Sequence, residues 1–590
     1  MILPGQNSSG SEGRVPGTIR AHLRSWRWRL WALALGLLGI GLAFVPLFDV
    51  LGFELAFVMA LGASVAGIDL AAALVRRTIA TPTAPLERAV GAGRIVATLA
   101  GRTIATNLLL LVAPLAILAL NGLRVRNCDW RFGFATYFLM PGLGVVIASA
   151  AGTVLGLVAG RRRRLGNALP FVFVVVSIGA ALWRFYAAPP VFSYSWLVGY
   201  FPGNLYDEDI ALGAPFYWAR LEQLAWCVTA LAALACVLDA PTLSPWRRVR
   251  RPLRGRWRAM SVAFAALSVS SWLWHTSGRH GYATDAEDIA AELDGRYQTE
   301  HFVIRYASRP EIVRDIARIA EEHEFRLAQV VRSLGVEPSE TITSYYFADA
   351  AQKARLMGAK NVYMAKPWRR EIYLHHDDFP HRVLRHEIAH VVAAEFGDPI
   401  FHVSAGTVLG IPLRFNVGLI EGLAVAVDWP DHFDRALTPH QAVKAMELLG
   451  FAAPVDSLLS TEFLTVSSAR GYTVAGSFVR FLLELHGPER LRVLYRTGGD
   501  FELAYGATQG EMIARWRDVI DGVELPAEAA EVVRERFRRS GIFTRPCPHA
   551  IASASERAGE LAAAGRLDAA VALIRHVCTL APDEPRHQLA

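Results

Sequence analysis

The first half of the chain is a succession of long apolar runs separated by short segments rich in arginine. A helix of roughly 17 to 25 apolar residues is long enough to cross about 30 Å of hydrocarbon. The runs therefore predict an all-α transmembrane bundle of about seven helices, near residues 30–50, 51–75, 103–120, 133–159, 168–186, 221–239 and 259–275. The seventh helix has the least support, because its run is short and contains several serines.

The pattern changes at about residue 278, after which charged and apolar residues mix at the frequency typical of a globular domain. Alternating positions predict strands at His301–Tyr306, Thr341–Phe347 and Glu371–His375. A helical period predicts a helix over Pro310–Leu334, ended by Gly335, and further helical segments follow. Strands followed by helices are the expected outline of an α+β domain, which we place at residues 278–545.

Residues 546–590 differ again, because Ala552–Leu561 and Leu567–Leu580 have the pattern of a helical hairpin. The hairpin partly resembles one tetratricopeptide unit. A single unit cannot bury its apolar face alone, so we expect it to pack on the preceding domain or to belong to a longer array. Recruitment of a protein partner is a further alternative. Cys547 and Cys578 flank this segment. The two alternatives for them are a disulfide with each other and two separate thiols.

Composition and charge agree with a membrane region at residues 1–277. Of 590 residues 53% are apolar, and the formal net charge is +7. The arginines before residue 260 cluster in the segments that connect the predicted spans on one side of the bundle. The other side has only Arg124, Arg126, Arg131, Arg184 and Arg220. The positive-inside rule then places the N-terminus in the cytoplasm, and seven crossings place the chain after about residue 276 outside. We expect an integral protein of a bacterial inner membrane with no nucleic-acid partner.

Two carboxylates of the second apolar run, Glu54 and Asp69, are the candidates for transport chemistry. Buried charge in a bilayer usually marks a path or an ion pair, but side chains near helix ends also reach the headgroups. A transporter with an accessory soluble domain is therefore an alternative function. The predicted spans offer it few central charges.

The chemistry of the second half centres on His386-Glu387-Ile388-Ala389-His390. On a helix, the four-residue spacing places His386 and His390 on one face, where two neutral imidazoles can bind Zn2+. Glu387 then lies beside the metal-bound water as a candidate general base. Asp378 as a cap, Pro380 in the first turn and Gly397 at the end predict a helix of about 379–396. Three nearby histidines are interpreted as surface residues, namely His375, His376 and His381.

Catalytic zinc normally takes three protein ligands, so a third ligand is expected downstream. His402 lacks the flanking glycine pattern of the three-histidine class, and Phe396 stands where that class has its third histidine. Glu421 is the better candidate, because it lies in an apolar run that Asn416 begins as a helix cap. A carboxylate at a helix surface is the alternative interpretation of Glu421.

The two histidines and Glu387, followed by Glu421-Gly422-Leu423-Ala424, resemble the gluzincin metallopeptidases, the thermolysin and membrane-alanyl-aminopeptidase clan, especially its bacterial peptidase-MA-like domains. The resemblance extends from about His301 to Ile520 and implies a zincin-like fold. It implies the zinc ligands His386, His390 and Glu421, with Glu387 activating water. By similarity to members that use a later tyrosine, Tyr472 is the candidate donor to the oxyanion, and packing at a helix start is the alternative role for it.

The resemblance implies a zinc-dependent endopeptidase acting on a peptide or protein substrate. The Gly-x-Met-Glu-Asn signature of the aminopeptidase branch is absent, since Gly358-Ala359-Lys360-Asn361 does not match it. The apolar insertion Phe401–Phe415 resembles neither a regular helix nor a clean strand, and we expect a lid or a segment that enters the membrane surface. A non-catalytic module that binds a peptide or partner is the remaining alternative function.

Overall fold

The chain forms two compact units. The first comprises Met1–Arg184, Ser193–Phe201 and Ala211–Ala283, and the second comprises Phe185–Phe192, Pro202–Ile210 and Thr284–Ala590. The computed structural model describes residues 22–80, 91–203, 210, 212–239, 243, 256–408, 411–429, 437–538 and 547–581. The predicted arginine-rich segments before residue 22 and at 247–254 therefore lie outside the described residues.

The first unit is built from long helices and one short strand pair. Its helices are α1 (Trp26–Leu42), α2 (Phe53–Ala80), α3 (Ala92–Asn121), α4 (Trp130–Ala159), α5 (Arg163–Ala187), α6 (Ala214–Val237) and α7 (Trp257–His275). A 3-10 turn at Leu109–Leu111 interrupts α3, and a π turn at Phe138–Gly142 containing Pro141 interrupts α4. The strands β1 (Ser193–Ser195) and β2 (Gly199–Phe201) pair antiparallel.

Five of these helices, α2 to α6, are long and apolar enough to cross a membrane. They match five of the seven predicted spans, and the structure is consistent with a membrane protein. The first predicted span forms α1, which has 17 residues, and the seventh forms α7, which has 19. Neither of these two is among the five, so seven crossings remain a prediction.

Small and polar side chains determine the packing inside the first unit. Gly152 of α4 faces α2 so closely that a Cβ atom there would lie 2.5 Å from the carbonyl oxygen of Ile68. The buried Asn107 amide donates to Ser149 Oγ at 3.0 Å. The proposed transport carboxylate Asp69 accepts from Trp31 Nε1 at 3.1 Å and lies 3.6 Å from an Arg27 guanidinium nitrogen. Its environment is therefore that of a paired carboxylate.

The second unit contains a five-stranded mixed sheet. Its strands are β3 (Gly295–Gln298), β4 (Phe302–Tyr306), β5 (Ile342–Phe347), β6 (Met364–Lys366) and β7 (Glu371–His375). The order is β3-β4-β5-β7-β6, with β4, β5 and β7 parallel and both edge strands antiparallel. The three predicted strands are confirmed. The two edge strands were not predicted, because four and three residues are too few for a recognisable alternation.

The rest of the second unit is mainly helical. Its helices are α8 (Ala286–Glu292), α9 (Pro310–Leu334), α10 (Ala350–Met357), α11 (Leu384–Ala393), α12 (Val417–Val427), α13 (Pro439–Leu448), α14 (Val455–Leu458), α15 (Ser468–Arg496), α16 (Phe501–Tyr505), α17 (Gln509–Asp521), α18 (Ala529–Phe537), α19 (Pro548–Ala563) and α20 (Leu567–Leu580). Single 3-10 turns lie at Pro367–Arg369, Ala394–Phe396 and Thr461–Thr465. The backbone of α15 is kinked at Gly487, directly before Pro488.

The predicted helix over Pro310–Leu334 is confirmed as α9, and Gly335 ends it in a left-handed conformation with φ 65°. His323 of this helix is fully buried. Its Nδ1 donates to the Ile319 carbonyl at 2.7 Å, and its Nε2 lies 3.0 Å from Ser344 Oγ of β5. This histidine connects the helix to the centre of the sheet.

The apolar insertion forms a β-hairpin of β8 (Ala405–Val408) and β9 (Ile411–Phe415), which we call the apolar hairpin. Residues 409 and 410, between the two strands in the sequence, lie outside the described residues. Pro412 is buried, whereas Ile411 and Leu413 are 53% and 60% exposed. The sequence pattern indicated neither a regular helix nor a clean strand here, because Gly406 and Pro412 disturb the alternation by which a strand is recognised.

Residues Phe185–Phe192, which comprise the last three residues of the long helix α5 and the segment after it, are held in the second unit by hydrogen bonds. Lys366 Nζ donates to the carbonyl oxygens of Phe185, Ala188 and Pro190 at 2.9, 2.7 and 3.1 Å. Trp368 Nε1 donates to the Tyr186 carbonyl at 2.8 Å, and the rings of Trp368 and Tyr186 stack 5.6 Å apart. The backbone carbonyls at the end of α5 thereby accept hydrogen bonds from side chains in and close to β6.

The C-terminal hairpin consists of α19 and α20, as the sequence predicts. The two helices share a small core of Ile551, Val577 and Leu580. Cys547 is disulfide-bonded, whereas Cys578 forms no disulfide. A disulfide between these two cysteines is therefore excluded. Cys128 is also disulfide-bonded.

Candidate metal centre

The helix α11 carries His386, Glu387 and His390 in the middle of the core. All of its residues except His386 are buried. The predicted start of this helix near residue 379 is wrong, since α11 begins at Leu384 with Val383 as its N-cap. Tertiary hydrogen bonds hold the preceding residues in a loop. His381 donates its backbone N–H to Glu322 Oε1 at 2.9 Å, and its Nε2 lies 3.1 Å from the His375 carbonyl.

The helix α12 brings Glu421 to the two histidines. Asn416 caps α12 as predicted, accepting from Leu419 N at 3.0 Å. Gly422 allows α12 to lie directly against α15, because a Cβ atom there would be 2.8 Å from the Ala475 carbonyl oxygen. This close approach fixes the position of the neighbouring Glu421.

The three side chains converge to hydrogen-bonding distances. The Nε2 atoms of His386 and His390 are 3.2 Å apart, and Glu421 Oε2 lies 3.5 Å from the first and 3.4 Å from the second. A tetrahedral ion with ligand bonds of about 2.0 to 2.1 Å separates its ligands by about 3.3 to 3.4 Å. The donor set and its spacing therefore fit a divalent metal such as zinc, with one position left for water. Among the described residues this is the one such group of His, Cys, Asp and Glu side chains.

The electrostatics of the centre show strong coupling between the two histidines and Glu421. Burial opposes the ionisation of Glu421, but the two imidazoles hold the pKa of this carboxyl well below its usual range. Burial likewise opposes a charge on His386, but the hydrogen bond that its imidazole donates to Glu421 and the charge of Glu387 raise the pKa of His386 to about 9. In the absence of metal, a proton neutralises part of this donor set.

Glu387 is 5% exposed, and burial raises the pKa of its carboxyl, while His386 and His390 lower it. Arg385 next to the centre donates to Asp428 Oδ1 at 2.8 Å and to the Trp429 carbonyl at 2.5 Å. These bonds connect α11 to the end of α12. They hold in register the two helices that supply the three converging side chains.

Tyr472, the candidate oxyanion donor, lies near the start of α15 with its ring centroid 6.2 Å from that of His386. It also packs edge-on against Phe463 at 5.5 Å. The structure brings Tyr472 to the centre, so both of the roles considered for it, donor and packing residue, are compatible with its position.

None of the three histidines interpreted as surface residues is exposed, and His376 is half-buried like His375. His381 is 4% exposed, and His375 is half-buried with its Nε2 2.9 Å from Tyr363 Oη. His402 lies with its Nδ1 3.3 Å from the Ala394 carbonyl and is not part of the metal-binding group.

Sequence reasoning missed Lys353, a fully buried lysine of α10. Its Nζ donates to the Val362 carbonyl at 2.9 Å and lies 4.1 Å from the centroid of the Tyr363 ring. Its charge lowers the pKa of Glu387. The signal was its spacing with Leu356 and Met357, since positions i, i+3 and i+4 share the buried face of a helix.

Comparison of the chain with models of known protein families and with curated proteins found no match. The candidate metal centre is therefore the basis for assigning the protein to a class.

Proposed function

We propose that the protein is a membrane-embedded zinc metallopeptidase of the gluzincin type, which hydrolyses peptide bonds with a metal-activated water. The spacing of His386, His390 and Glu421 carries this proposal. Their ligand atoms lie 3.2 to 3.5 Å apart, close to the edges of a tetrahedron around one ion. The general base expected of this class, Glu387, directly follows the first histidine.

Zinc bound by these three residues would polarise the attacking water and the scissile carbonyl. Glu387 takes the proton of the water and passes it to the leaving amine. Its burial supports this role, because a raised pKa lets a carboxylate accept and return a proton near neutral pH. Tyr472 donates a hydrogen bond to the oxygen on which negative charge develops.

The peptidase unit is proposed to lie outside the cytoplasm, and contacts within each unit support this orientation. Residues Phe185–Phe192 belong to the same compact unit as the metal centre, and Val191 N donates to the Met357 carbonyl at 3.1 Å. The end of α5 and the peptidase therefore share one side of the membrane, which requires an even number of crossings between them. The apolar helices α6 and α7 provide two.

The weakest predicted span, α7, gains support from its packing against α6. Trp218 of α6 stacks on His280, just after α7, at 4.1 Å, and Thr229 Oγ1 lies 3.3 Å from Ser270 Oγ. The two helices are thus antiparallel neighbours over their length. Large apolar side chains of α7 are also exposed, among them Phe264 at 74%. Together with the positive-inside rule, this packing supports the proposed extracytoplasmic side for the peptidase.

The proposal is tested on the full chain purified in detergent, by metal analysis and by cleavage of an unbiased peptide library. We expect about one zinc per chain. Glu387→Gln should retain the metal but lose cleavage by roughly 10²- to 10⁴-fold, because it removes only the base. Glu421→Ala should lower zinc affinity by more than the roughly 10- to 100-fold that loss of an outer-shell partner costs.

Glu484→Gln is the matched control, since Glu484 lies on the exposed side of α15, where it pairs with Arg480 four residues before it. It should change neither metal content nor cleavage. A chain that binds zinc but cleaves no peptide would favour the non-catalytic binding module. A chain without zinc, or one in which Glu421→Ala leaves the metal content unchanged, would refute the proposed centre.

A further inference from the structure

The apolar hairpin exposes several large aliphatic side chains to its surroundings. Ile411 and Leu413 alternate with the buried Pro412, so they lie on the same face of β9. Val408, which is 41% exposed, pairs with Ile411 across the hairpin, and Ile400 just before β8 is 43% exposed. A cluster of exposed aliphatic residues on one small element is typical of an interaction surface.

The base of the hairpin contacts the end of an apolar helix that is long enough to cross a membrane. Tyr186 in the last turn of α5 donates its hydroxyl to the Ile400 carbonyl at 2.9 Å. Its ring packs edge-on against Phe401 at 5.9 Å, and Phe401 packs in the same way against Phe415 of β9 at 5.2 Å. All of these residues belong to the second unit. An unbroken chain of aromatic contacts therefore links the end of α5 to the last residue of β9.

The end of a membrane-spanning helix lies at the bilayer surface, where tyrosine and tryptophan are enriched. Tyr186 and its stacking partner Trp368 have this character. A strand rises by about 3.3 Å per residue, so Ile411 lies about 13 Å from Phe415. The interfacial layer on each side of the hydrocarbon is roughly 5 to 8 Å thick. A hairpin that starts at this level is long enough to reach the acyl chains.

We propose that the apolar hairpin docks on the lipid bilayer, with Val408, Ile411 and Leu413 inserted among the lipid chains beside α5. The proposal does not depend on peptidase activity, because it rests on the exposed side chains and on the contact with α5. It has a consequence for the metal centre, since β9 leads through Asn416 directly into α12, which carries Glu421. The centre is therefore joined by a few residues to a lipid-bound element, and membrane-proximal peptide segments would be the nearest substrates.

The test places a fluorophore on the hairpin of the full chain in phospholipid nanodiscs. The three cysteines that form no disulfide are replaced by alanine, namely Cys227, Cys236 and Cys578, and the disulfide-bonded cysteines are kept. Leu413→Cys is labelled with a polarity-sensitive dye and quenched either by nitroxide on the lipid chains or by iodide in water. Leu448→Cys is the matched control, because Leu448 is 71% exposed at the end of α13, outside the hairpin.

We expect lipid nitroxide to quench the Leu413 label several-fold more strongly than the Leu448 label, and iodide to show the opposite order. Equal quenching of both labels by lipid would overturn the proposal. A Leu413 label protected from both quenchers would also overturn it, because the hairpin would then be covered by protein, as a lid or as the docking site of a partner. Loss of peptide cleavage in either labelled chain would not affect this result.

Discussion

Lys366 allows a quantitative test of how residues Phe185–Phe192 are integrated into the second unit. The side chain is 2% exposed and donates to three backbone carbonyls at the end of α5. Lys366→Met keeps a similar length and removes all three donors. The carbonyls of Phe185, Ala188 and Pro190 would then be buried without this partner.

Each buried acceptor left without a partner costs about 1 to 3 kcal/mol. Removal of the buried charge offsets part of this loss, because a desolvated ammonium is itself costly. We therefore expect Lys366→Met to lower the free energy of unfolding by about 3 kcal/mol, which corresponds to roughly 6 to 12 °C in melting temperature for a domain of this size. Thermal unfolding of the full chain in detergent, followed by tryptophan fluorescence, measures the change.

Lys444→Met is the matched control. Lys444 also donates to carbonyls beyond a helix end, those of Asp521 and Val523, both at 2.7 Å. It is only half-buried, so water can replace its donors, and the expected cost is below about 1 kcal/mol. If the two substitutions lowered the melting temperature equally, Lys366 would not be the buried cap that the hydrogen bonds indicate.

Three further predictions each concern a single residue. Burial lowers the pKa of His323 to about 4 from 6.5, so its contribution to stability is present above pH 6.5 and is lost as the pH falls towards 4. The free energy of unfolding should fall by about 2 kcal/mol between pH 7 and pH 5. His323→Gln should abolish this pH dependence in melting experiments at the two pH values. The same pH dependence in the variant would contradict the role of His323. Tyr472→Phe should lower kcat by roughly 10²- to 10³-fold with zinc content unchanged, whereas full activity would make Tyr472 a packing residue. Gly152→Ala should lower the melting temperature because its Cβ meets the Ile68 carbonyl, while Gly101→Ala, with open space around it, should not; equal effects would contradict close packing there.

The elements that were predicted correctly are those whose signals are local. The helix α9 has a strong apolar stripe and a glycine at its end, and Asn416 caps α12 through a bond to a residue three positions later. His386 and His390 of the candidate metal centre were predicted because their spacing requires only a helix. Glu421 was found because a carboxylate in an apolar run needs a partner.

The elements that were missed depend on contacts between distant residues. Asp378 and Pro380 have the types that begin a helix, but the bond from His381 to Glu322, 59 positions earlier, holds this segment in a loop. The strand β6 has three residues and exists because β7 pairs with it. Lys366 bonds carbonyls about 180 positions away, and no local pattern predicts such partners.

The inclusion of Phe185–Phe192 in the second unit has a consequence for biosynthesis. The ribosome makes this segment before α6 and α7, and it makes the sheet that receives it only afterwards. The bonds from Lys366 and Trp368 therefore cannot form until both intervening helices have been synthesised. Assembly of the second unit is thus coupled to completion of α6 and α7. A gene fragment that begins at residue 278 encodes this unit without residues Phe185–Phe192, which belong to it.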